Sequence, residues 1–328
     1  MTASTNRSSG QDWFALRAQV AELFFPTASQ EEALKRLRSL ADPDPTRAYK
    51  AGMTLIGESQ VGKSKVLEEW GKWCHVHIPE RPIYSVNVGG SNTPLAMVAA
   101  LLKEAGDPFW NRGREFERRE RFRERVARER PLAIVFQEYQ HTFSRTEYRE
   151  ASSAQFIKTL YNDIDVPIVL SGLPEVADFI SKSRELMSRF SRAVYIDAAD
   201  LTSKQTFKLV ARLLKGISDL VPIDEGLTLV DQEMVVRFAH AGGGSMAAVK
   251  KIALEACMVA YEDELPGITM KTLQKALERH MADDQTCGQQ RKGKKAIWSP
   301  QSFSKPLDVV QREVAVLIEE RRKARGQN

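Results

Sequence analysis

Residues 57–64 read Gly-Glu-Ser-Gln-Val-Gly-Lys-Ser and match the phosphate-binding pattern G-x-x-x-x-G-K-[ST] at every defined position. An apolar run, 53–56, precedes this loop, and a segment of helical composition, 65–70, follows it. In such a strand–loop–helix, backbone N–H groups and the helix N-terminus face bound phosphates. We therefore predict a nucleotide site formed by Gly57, Glu58, Ser59, Gln60, Val61, Gly62, Lys63 and Ser64. Lys63 is expected to reach the β- and γ-phosphates, and Ser64 to bind Mg²⁺ through its hydroxyl.

Short apolar runs alternate with segments of helical composition on both sides of this loop. The runs lie at 53–56, 83–88, 132–136, 168–170 and 193–196. Alternating strands and helices favour a mainly parallel sheet sandwiched between helices, so the predicted fold class is α/β. After Asp200 the strand pattern stops, and helices are predicted at 203–218, 231–240, 245–262 and 270–282.

These patterns divide the 328 residues into four segments. We predict an N-terminal helical extension over 1–46 and a nucleotide-binding domain over 47–199. An all-helical subdomain covers 200–282. A basic flexible tail, 283–328, ends in an amphipathic helix from 307 to 325.

The composition argues against several classes of protein. No run approaches eighteen apolar residues, and the N-terminal MTASTNRSSGQDW has no apolar signal region, so we expect a cytosolic protein without a membrane span. Cys74, Cys257 and Cys287 show no C-x-x-C spacing. They are interpreted as ordinary thiols rather than as zinc ligands or a disulfide framework.

The strand at 132–136 runs directly into Gln137 and Glu138. In nucleotide-hydrolysing folds this edge normally begins with a metal-orienting aspartate, and Gln137 occupies that place. Glu138 occupies the place of the general base. Glutamine retains an oxygen acceptor but no charge, so Mg²⁺ should be held more weakly and hydrolysis should be slow.

Two further positions are candidates for the hydrolytic site. Ser171 follows the strand at 166–170 and is a candidate γ-phosphate sensor, or alternatively a strand-terminal cap. Arg189 is the first candidate, and Arg192 the second, for an arginine that reaches a neighbouring subunit's nucleotide. Either arginine is alternatively a surface or interface residue without a catalytic role.

The segment 112–130 holds nine arginines against five glutamates. It predicts either a solvated helix with i,i+4 ion pairs or a basic surface for a polyanion. The sequence pattern alone leaves both interpretations open.

Taken together, the phosphate loop, the Gln137–Glu138 edge, Ser171, the Ser188-Arg189-Phe190 stretch and the helical lid beginning near 200 resemble an AAA+ ATPase. LFFPTASQEEALKRL, GESQVGKS, EYQH and VLSGLPEV are similar, more narrowly, to the TniB/TnsC family of transposon-encoded AAA+ regulators. This likeness spans about residues 20–255.

The resemblance implies an ATP- and Mg²⁺-binding protein that forms rings or filaments on duplex DNA. It would mark a target site, answer to a target-selection protein and recruit or activate a transposase. Glu138 would be the base, Ser171 the first sensor and Arg189 the arginine finger, with Lys250 and Lys251 as the available second-sensor candidates. DNA phosphates would be contacted, without a sequence code, by Arg118, Arg119, Arg121, Arg123 and Arg125. The tail would suit docking onto a partner such as the transposase, or would alternatively be a disordered tail with no partner.

The sequence is also compatible with two other functions. A replication-initiator or helicase-loader ATPase would share the same machinery, but no winged-helix pattern follows residue 282. A nucleotide-switched scaffold that binds no DNA is opposed by the arginine-rich segment.

Overall fold

The computed structural model describes residues 12–41, 52–89, 93–143, 147–190, 192–197, 203–243, 245–286 and 301–324. Five strands are formed: β1 (Met53–Ile56), β2 (Ile83–Asn87), β3 (Ala133–Gln137), β4 (Ile168–Gly172) and β5 (Arg192–Tyr195). The helices are α1 (Trp13–Glu22), α2 (Ala28–Arg38), α3 (Lys63–His77), α4 (Pro94–Glu104), α5 (Glu115–Glu129), α6 (Glu147–Asp163), α7 (Glu175–Ser181), α8 (Arg184–Arg189), α9 (Lys204–Leu220), α10 (Gln232–Ala241), α11 (Met246–Glu262), α12 (Met270–Thr286) and α13 (Leu307–Ala324). A short 3₁₀ helix, Tyr139–Thr142, follows β3.

The chain forms two compact units. The sheet unit comprises Ala28–Asp197, and the helical unit comprises Met1–Thr27 with Ala198–Asn328. All five predicted strands are present, each within two residues of its predicted ends.

The sheet is parallel, in the order β2-β3-β4-β1-β5. The central strands β1 and β4 are buried along their whole lengths, which explains their nearly continuous apolar sequences. Because all strands run in one direction, the loop after β1 and the residues that end β3 and β4 lie at the same edge of the sheet. This edge carries the predicted site.

Helix α5 shows how an extremely charged segment still packs on the sheet unit. Phe122 and Val126, four residues apart, are buried in the core with Tyr84 and Met97. The arginines and glutamates occupy the rest of the helix surface. The predicted helix at 112–130 is therefore confirmed over Glu115–Glu129, and one narrow apolar stripe holds it in place.

The predicted N-terminal extension, 1–46, is shared between the two units. Helix α1 buries Trp13 and Val20 in the core of the helical unit and packs on α9 and α11. Helix α2 buries Ala33 and Leu37 and packs on α3 and β5 in the sheet unit. The two neighbouring helices thus cover different cores.

Part of the predicted flexible tail is packed in the helical unit. Ser302, Phe303 and Val310 are buried, and Phe303 forms an edge-to-face contact with Phe238 of α10. The buried Arg237 guanidinium of α10 donates to the carbonyl oxygens of Ser302 (2.7 Å) and Lys305 (2.9 Å). This satisfies a charge that would be costly to bury alone and holds 301–324 in place. Residues 287–300, including Trp298 and the RKGKK cluster, lie outside the described residues.

Helix α12 extends to Thr286, beyond the predicted end at 282. Among the described helices, none combines the length and the apolar character needed to cross a membrane.

Candidate nucleotide-binding site

The phosphate loop depends on its glycines. A Cβ at Gly57 would lie 2.6 Å from the Ile196 carbonyl oxygen and 2.8 Å from Val61 Cγ2, so only hydrogen fits. Gly62 has φ +94°, a left-handed conformation that glycine adopts without strain, and α3 begins at the next residue. The loop therefore wraps tightly between β1 and the N-terminus of α3, as a phosphate site requires.

Lys63 places its ammonium inside this loop. Its Nζ donates to the carbonyl oxygens of Gly57 (2.7 Å) and Glu58 (2.8 Å), and the side chain is buried. Burial lowers the pKa of Lys63, while the carboxylates of Glu138 and Glu58 act in the opposite direction. The structure thus brings together the predicted phosphate lysine and the predicted base.

Helix α2 also supports the loop. The buried amide of Gln30 donates to the Val61 carbonyl oxygen at 2.8 Å, and a Cβ on Gly62 would lie 2.6 Å from the same Nε2. Ser29 Oγ accepts the N–H of Asp197 at 3.2 Å, just beyond β5. Sequence reasoning missed both residues, because their partners are 31 and 168 positions away and no local motif marks them.

Gln137 ends β3 and donates from Nε2 to Ser85 Oγ of β2 at 2.9 Å. The side-chain nitrogen of Gln137 is therefore directed to β2. Its side-chain oxygen, Oε1, is the atom that suits a hard cation such as Mg²⁺. Ser64, at the exposed start of α3, supplies a hydroxyl oxygen. This all-oxygen donor chemistry fits Mg²⁺, but Gln137 contributes no negative charge.

Glu138 follows Gln137 in a left-handed conformation, with φ +56°. Its Oε2 accepts from Gln140 Nε2 at 2.5 Å. Ser171 is buried in β4 opposite Leu55 of β1, so it lies between β1 and β3 in the sheet. The topology consequently brings Glu138, Ser171 and the phosphate loop to one sheet edge.

Arg189, at the end of α8, is engaged by its own chain. Its guanidinium forms an ion pair with Glu185 (2.8 Å), donates to Asn162 Oδ1 (3.1 Å) and lies 5.4 Å from the centre of the Tyr161 ring. Arg192 lies in β5 opposite Met53, and its side chain is outside the described part.

The five arginines proposed to contact DNA all have partners within α5 and its surroundings. Arg121 donates to Asp107 Oδ2 (3.1 Å) and to the carbonyl oxygens of Phe109 and Arg112 (2.9 Å each). Arg118 donates to the carbonyl oxygens of Gly113 (2.9 Å) and Asn111 (2.5 Å). These two arginines therefore tie the segment 107–114 to the helix.

The other three arginines form ion pairs. Arg119 pairs with Asp163 at 2.5 Å, and Arg125 Nε lies 2.8 Å from Glu129 without hydrogen-bond geometry. Arg123 pairs with Glu120 at 2.5 Å, with 53 % of its side chain exposed. Of the five candidates, Arg123 is the most accessible to a ligand.

In the helical unit, Lys250 has a structural role. Its ammonium donates to the carbonyl oxygen of Leu23 at 2.6 Å and to that of Ala21, so it neutralises the C-terminal end of α1. Lys250, one of the two candidate second sensors, is therefore bound to the end of α1.

The family model described as "Bacterial TniB protein" matches residues 16–197, more than half of the chain. The chain belongs to the TniB family. This confirms the resemblance to the family of transposon-encoded AAA+ ATPases that the sequence stretches indicated.

Solved structures share the fold of this TniB-family chain. The Aeropyrum pernix ORC2 protein (ADPNP–ADP complexes) matches with a TM-score of 0.64 and 12 % identity, over 81 % of this chain and 72 % of that chain. The Aeropyrum pernix ORC1 protein in complex with DNA matches with a TM-score of 0.63 and 14 % identity, over 93 % of this chain and 86 % of that chain. Cdc6p from Pyrobaculum aerophilum matches with a TM-score of 0.58 and 12 % identity, over 93 % of this chain and 98 % of that chain.

These matches confirm the AAA+ fold with its helical C-terminal part. No curated protein matches the chain. Family and fold together support a nucleotide-binding AAA+ ATPase.

Proposed function

We propose that this TniB-family protein is an ATP-dependent regulator of transposition that oligomerises on duplex DNA, as a ring or helical filament, and recruits or activates a transposase. The observation that carries the proposal is the position of the Lys63 ammonium. It is buried inside the phosphate loop, and the negative charge of Glu138 acts on it. In the proposal, Lys63 would bind the triphosphate and Glu138 would act as the base at the same edge of the sheet. Family membership supplies the biological setting.

In the proposed reaction, the loop amides and Lys63 bind the triphosphate. Glu138 accepts a proton from water while the water oxygen bonds to the γ-phosphorus and the bond from that phosphorus to the ADP oxygen breaks. Ser64 and Gln137 would hold Mg²⁺, which offsets phosphate charge. Ser171 would contact the γ-phosphate.

The nucleotide site would be completed by an adjoining protomer. Arg189 would exchange Glu185 and Asn162 for the phosphates of its neighbour's ATP, with Arg192 as the second candidate. A guanidinium supplied in this way links nucleotide binding to assembly. Hydrolysis would then release the subunits.

DNA binding is proposed through the backbone phosphates, with the exposed Arg123 as the first contact and Arg119 and Arg125 beside it, while Arg118 and Arg121 hold the segment 107–114. Such contacts are indifferent to sequence and weaken as salt rises. A target-selection protein and the transposase would be the protein partners of the DNA-bound assembly.

Assembly tests the proposal directly. Negative-stain microscopy of the protein with duplex DNA and a slowly hydrolysed ATP analogue is expected to show rings or filaments that require both ligands. Lys63→Ala should abolish them, because the loop loses its phosphate-binding cation. Lys65→Ala is the matched control, since Lys65 on the same helix pairs with Glu68 at the surface.

Other outcomes would change the conclusion. Assemblies of Lys63→Ala as numerous as those of the wild type would contradict a nucleotide-dependent mechanism. If the protein binds the nucleotide but its assembly does not change when DNA is added, the result would instead favour a nucleotide-switched scaffold that binds no DNA.

A further inference from the structure

We propose that Gln140 is a positioning residue for ATP hydrolysis: it holds the Glu138 carboxylate and connects it to the end of β4. This inference rests on the proposed ATPase function and extends it to a residue outside the phosphate loop and the strand ends. Gln140 lies in the 3₁₀ helix after β3 and is 6 % exposed.

Both ends of the Gln140 amide are used. Its Oε1 accepts the backbone N–H of Leu173 at 3.2 Å, and its Nε2 donates to Glu138 Oε2 at 2.5 Å. The Leu173 N–H can only donate, so Oε1 must face it and Nε2 must face Glu138. The orientation of the amide is therefore fixed by a backbone group, and a donor is aimed at the carboxylate.

The end of β4 leaves space for this amide. A Cβ on Gly172 would lie 2.4 Å from Gln140 Oε1 and 2.6 Å from Val176 Cγ2. Glycine at 172 thus allows Gln140 to pass close to the strand and reach Leu173. Because Ser171 directly precedes Gly172, the base is tied to the strand end that carries the candidate sensor.

The 3₁₀ helix that carries Gln140 is itself anchored. The Tyr139 hydroxyl lies 2.7 Å from Ser153 Oγ, and the Thr142 hydroxyl lies 2.8 Å from the same atom. Tyr139 and Ser153 are buried, so the helix cannot shift without breaking these bonds. Gln140 is therefore mounted on a fixed support, as a positioning residue requires.

On β2, Ser85 Oγ accepts from Gln137, and Asn87 Oδ1 accepts the N–H of Gly89 at 2.9 Å. The amide donor on Glu138 comes from Gln140, two residues further along the chain. Gln140 exchanges no proton with the substrate and acts through Glu138.

The test compares Gln140→Glu and Gln140→Met in a DNA-stimulated ATPase assay, with affinity for a fluorescent ATP analogue measured separately. Gln140→Glu keeps the acceptor for Leu173 but removes the donor and sets a like charge beside Glu138. Gln140→Met keeps the approximate volume and removes both hydrogen bonds. Both variants are expected to lower kcat about ten- to a hundredfold, because a hydrogen bond to a charged group is lost.

Nucleotide affinity should stay within about threefold of the wild type, since neither variant touches the phosphate loop. Gln155→Glu, which adds the same charge at an exposed position of α6, is the matched control and should hydrolyse ATP normally. Circular dichroism melting shows that each variant is folded. A merely structural role would lower stability and nucleotide affinity together, rather than kcat alone.

Three results separate this inference from the function on which it rests. If folded Gln140→Glu or Gln140→Met turns over like the wild type, the role of Gln140 is refuted while the ATPase function stands. A parallel fall in affinity and kcat also overturns it. If the wild-type protein and Glu138→Gln are equally inactive with DNA, the hydrolytic function itself fails.

Discussion

At the scale of single residues, we expect Gln137 to limit the rate of ATP hydrolysis. Its amide reaches Ser85 on β2 and brings no charge to the metal edge. We expect Gln137→Asp to raise the ATPase rate about tenfold, because a carboxylate holds Mg²⁺ and its waters more firmly than an amide. DNA-bound assemblies of this variant should dissociate sooner, which a filament-decay assay after removal of ATP would measure.

Gln137→Asn is the control for this substitution, since asparagine has the length of aspartate without its charge. An equal gain in both variants would attribute the effect to side-chain length. No change in either variant would show that position 137 does not govern the metal site.

The sequence predicted the residues that belong to a short motif, and it missed those whose role depends on distant contacts. Gly57, Lys63 and Glu138 follow from spacing beside an apolar run. Gln30 and Gln140 do not, because their partners Val61 and Leu173 lie 31 and 33 positions away. An amide side chain carries no local signal of the carbonyl or N–H group that it will meet.

At the scale of elements, the arginines of α5 fall into two groups: some are held by hydrogen bonds within the protein, and others are accessible to solvent. Arg123 is half exposed, whereas Arg121 is bound by Asp107 and two carbonyl oxygens. Arg123→Gln should weaken DNA binding and reduce the slope of log affinity against log salt by about 1. Fluorescence anisotropy with duplex DNA across a salt series measures this slope.

Arg121→Gln is expected to act on stability instead. It removes the hydrogen bonds that tie 107–114 to α5, so chemical denaturation should show a loss of about 1–2 kcal/mol. An unchanged salt slope for Arg123→Gln, in a variant as stable as the wild type, would remove Arg123 from the DNA surface.

Element boundaries followed from apolar periodicity, but the assignment of elements to units did not. Helices α1 and α2 are neighbours in the sequence, yet Trp13 packs in the helical unit and Leu37 in the sheet unit. The sequence predicts a basic flexible tail over 283–328 that ends in an amphipathic helix at 307–325, and α13 (Leu307–Ala324) forms at that place, but the sequence does not show that this segment packs on α10. Its docking depends on Arg237, 65 residues from Ser302.

At the scale of the whole molecule, the docked C-terminal segment should make stability depend on pH. His240 of α10 is buried, with Nδ1 2.9 Å from Ser302 Oγ and Nε2 3.4 Å from Glu313. Burial lowers the pKa of His240, Glu313 opposes this shift and Lys305 adds to it. On the same helix, Arg237 pairs with Glu233 at 2.7 Å and donates to the carbonyl oxygen of Ser302.

A lowered pKa means that the unfolded chain binds a proton at His240 more readily than the folded chain. The contribution of neutral, buried His240 to the free energy of unfolding is therefore fully present above the ordinary histidine pKa of about 6.5. It is lost as pH falls below that value. We expect the melting temperature of the wild type to fall between about pH 6.5 and 5.

The fall should be smaller in His240→Asn, whose amide keeps a polar group near Ser302. The exposed His75→Asn variant should follow the wild type. Parallel melting curves for the wild type and His240→Asn at every pH would exclude His240 as the origin of the acid sensitivity.

The carbonyl oxygen of Ile196 stands where a methyl group on residue 57 would have to be. The side chains of Glu58 and Ser59 are exposed, so larger residues have space there. Position 57 has no such space: even alanine, the smallest step away from glycine, would push β5 and the loop apart. Selection for nucleotide binding alone should thus hold this one site fixed.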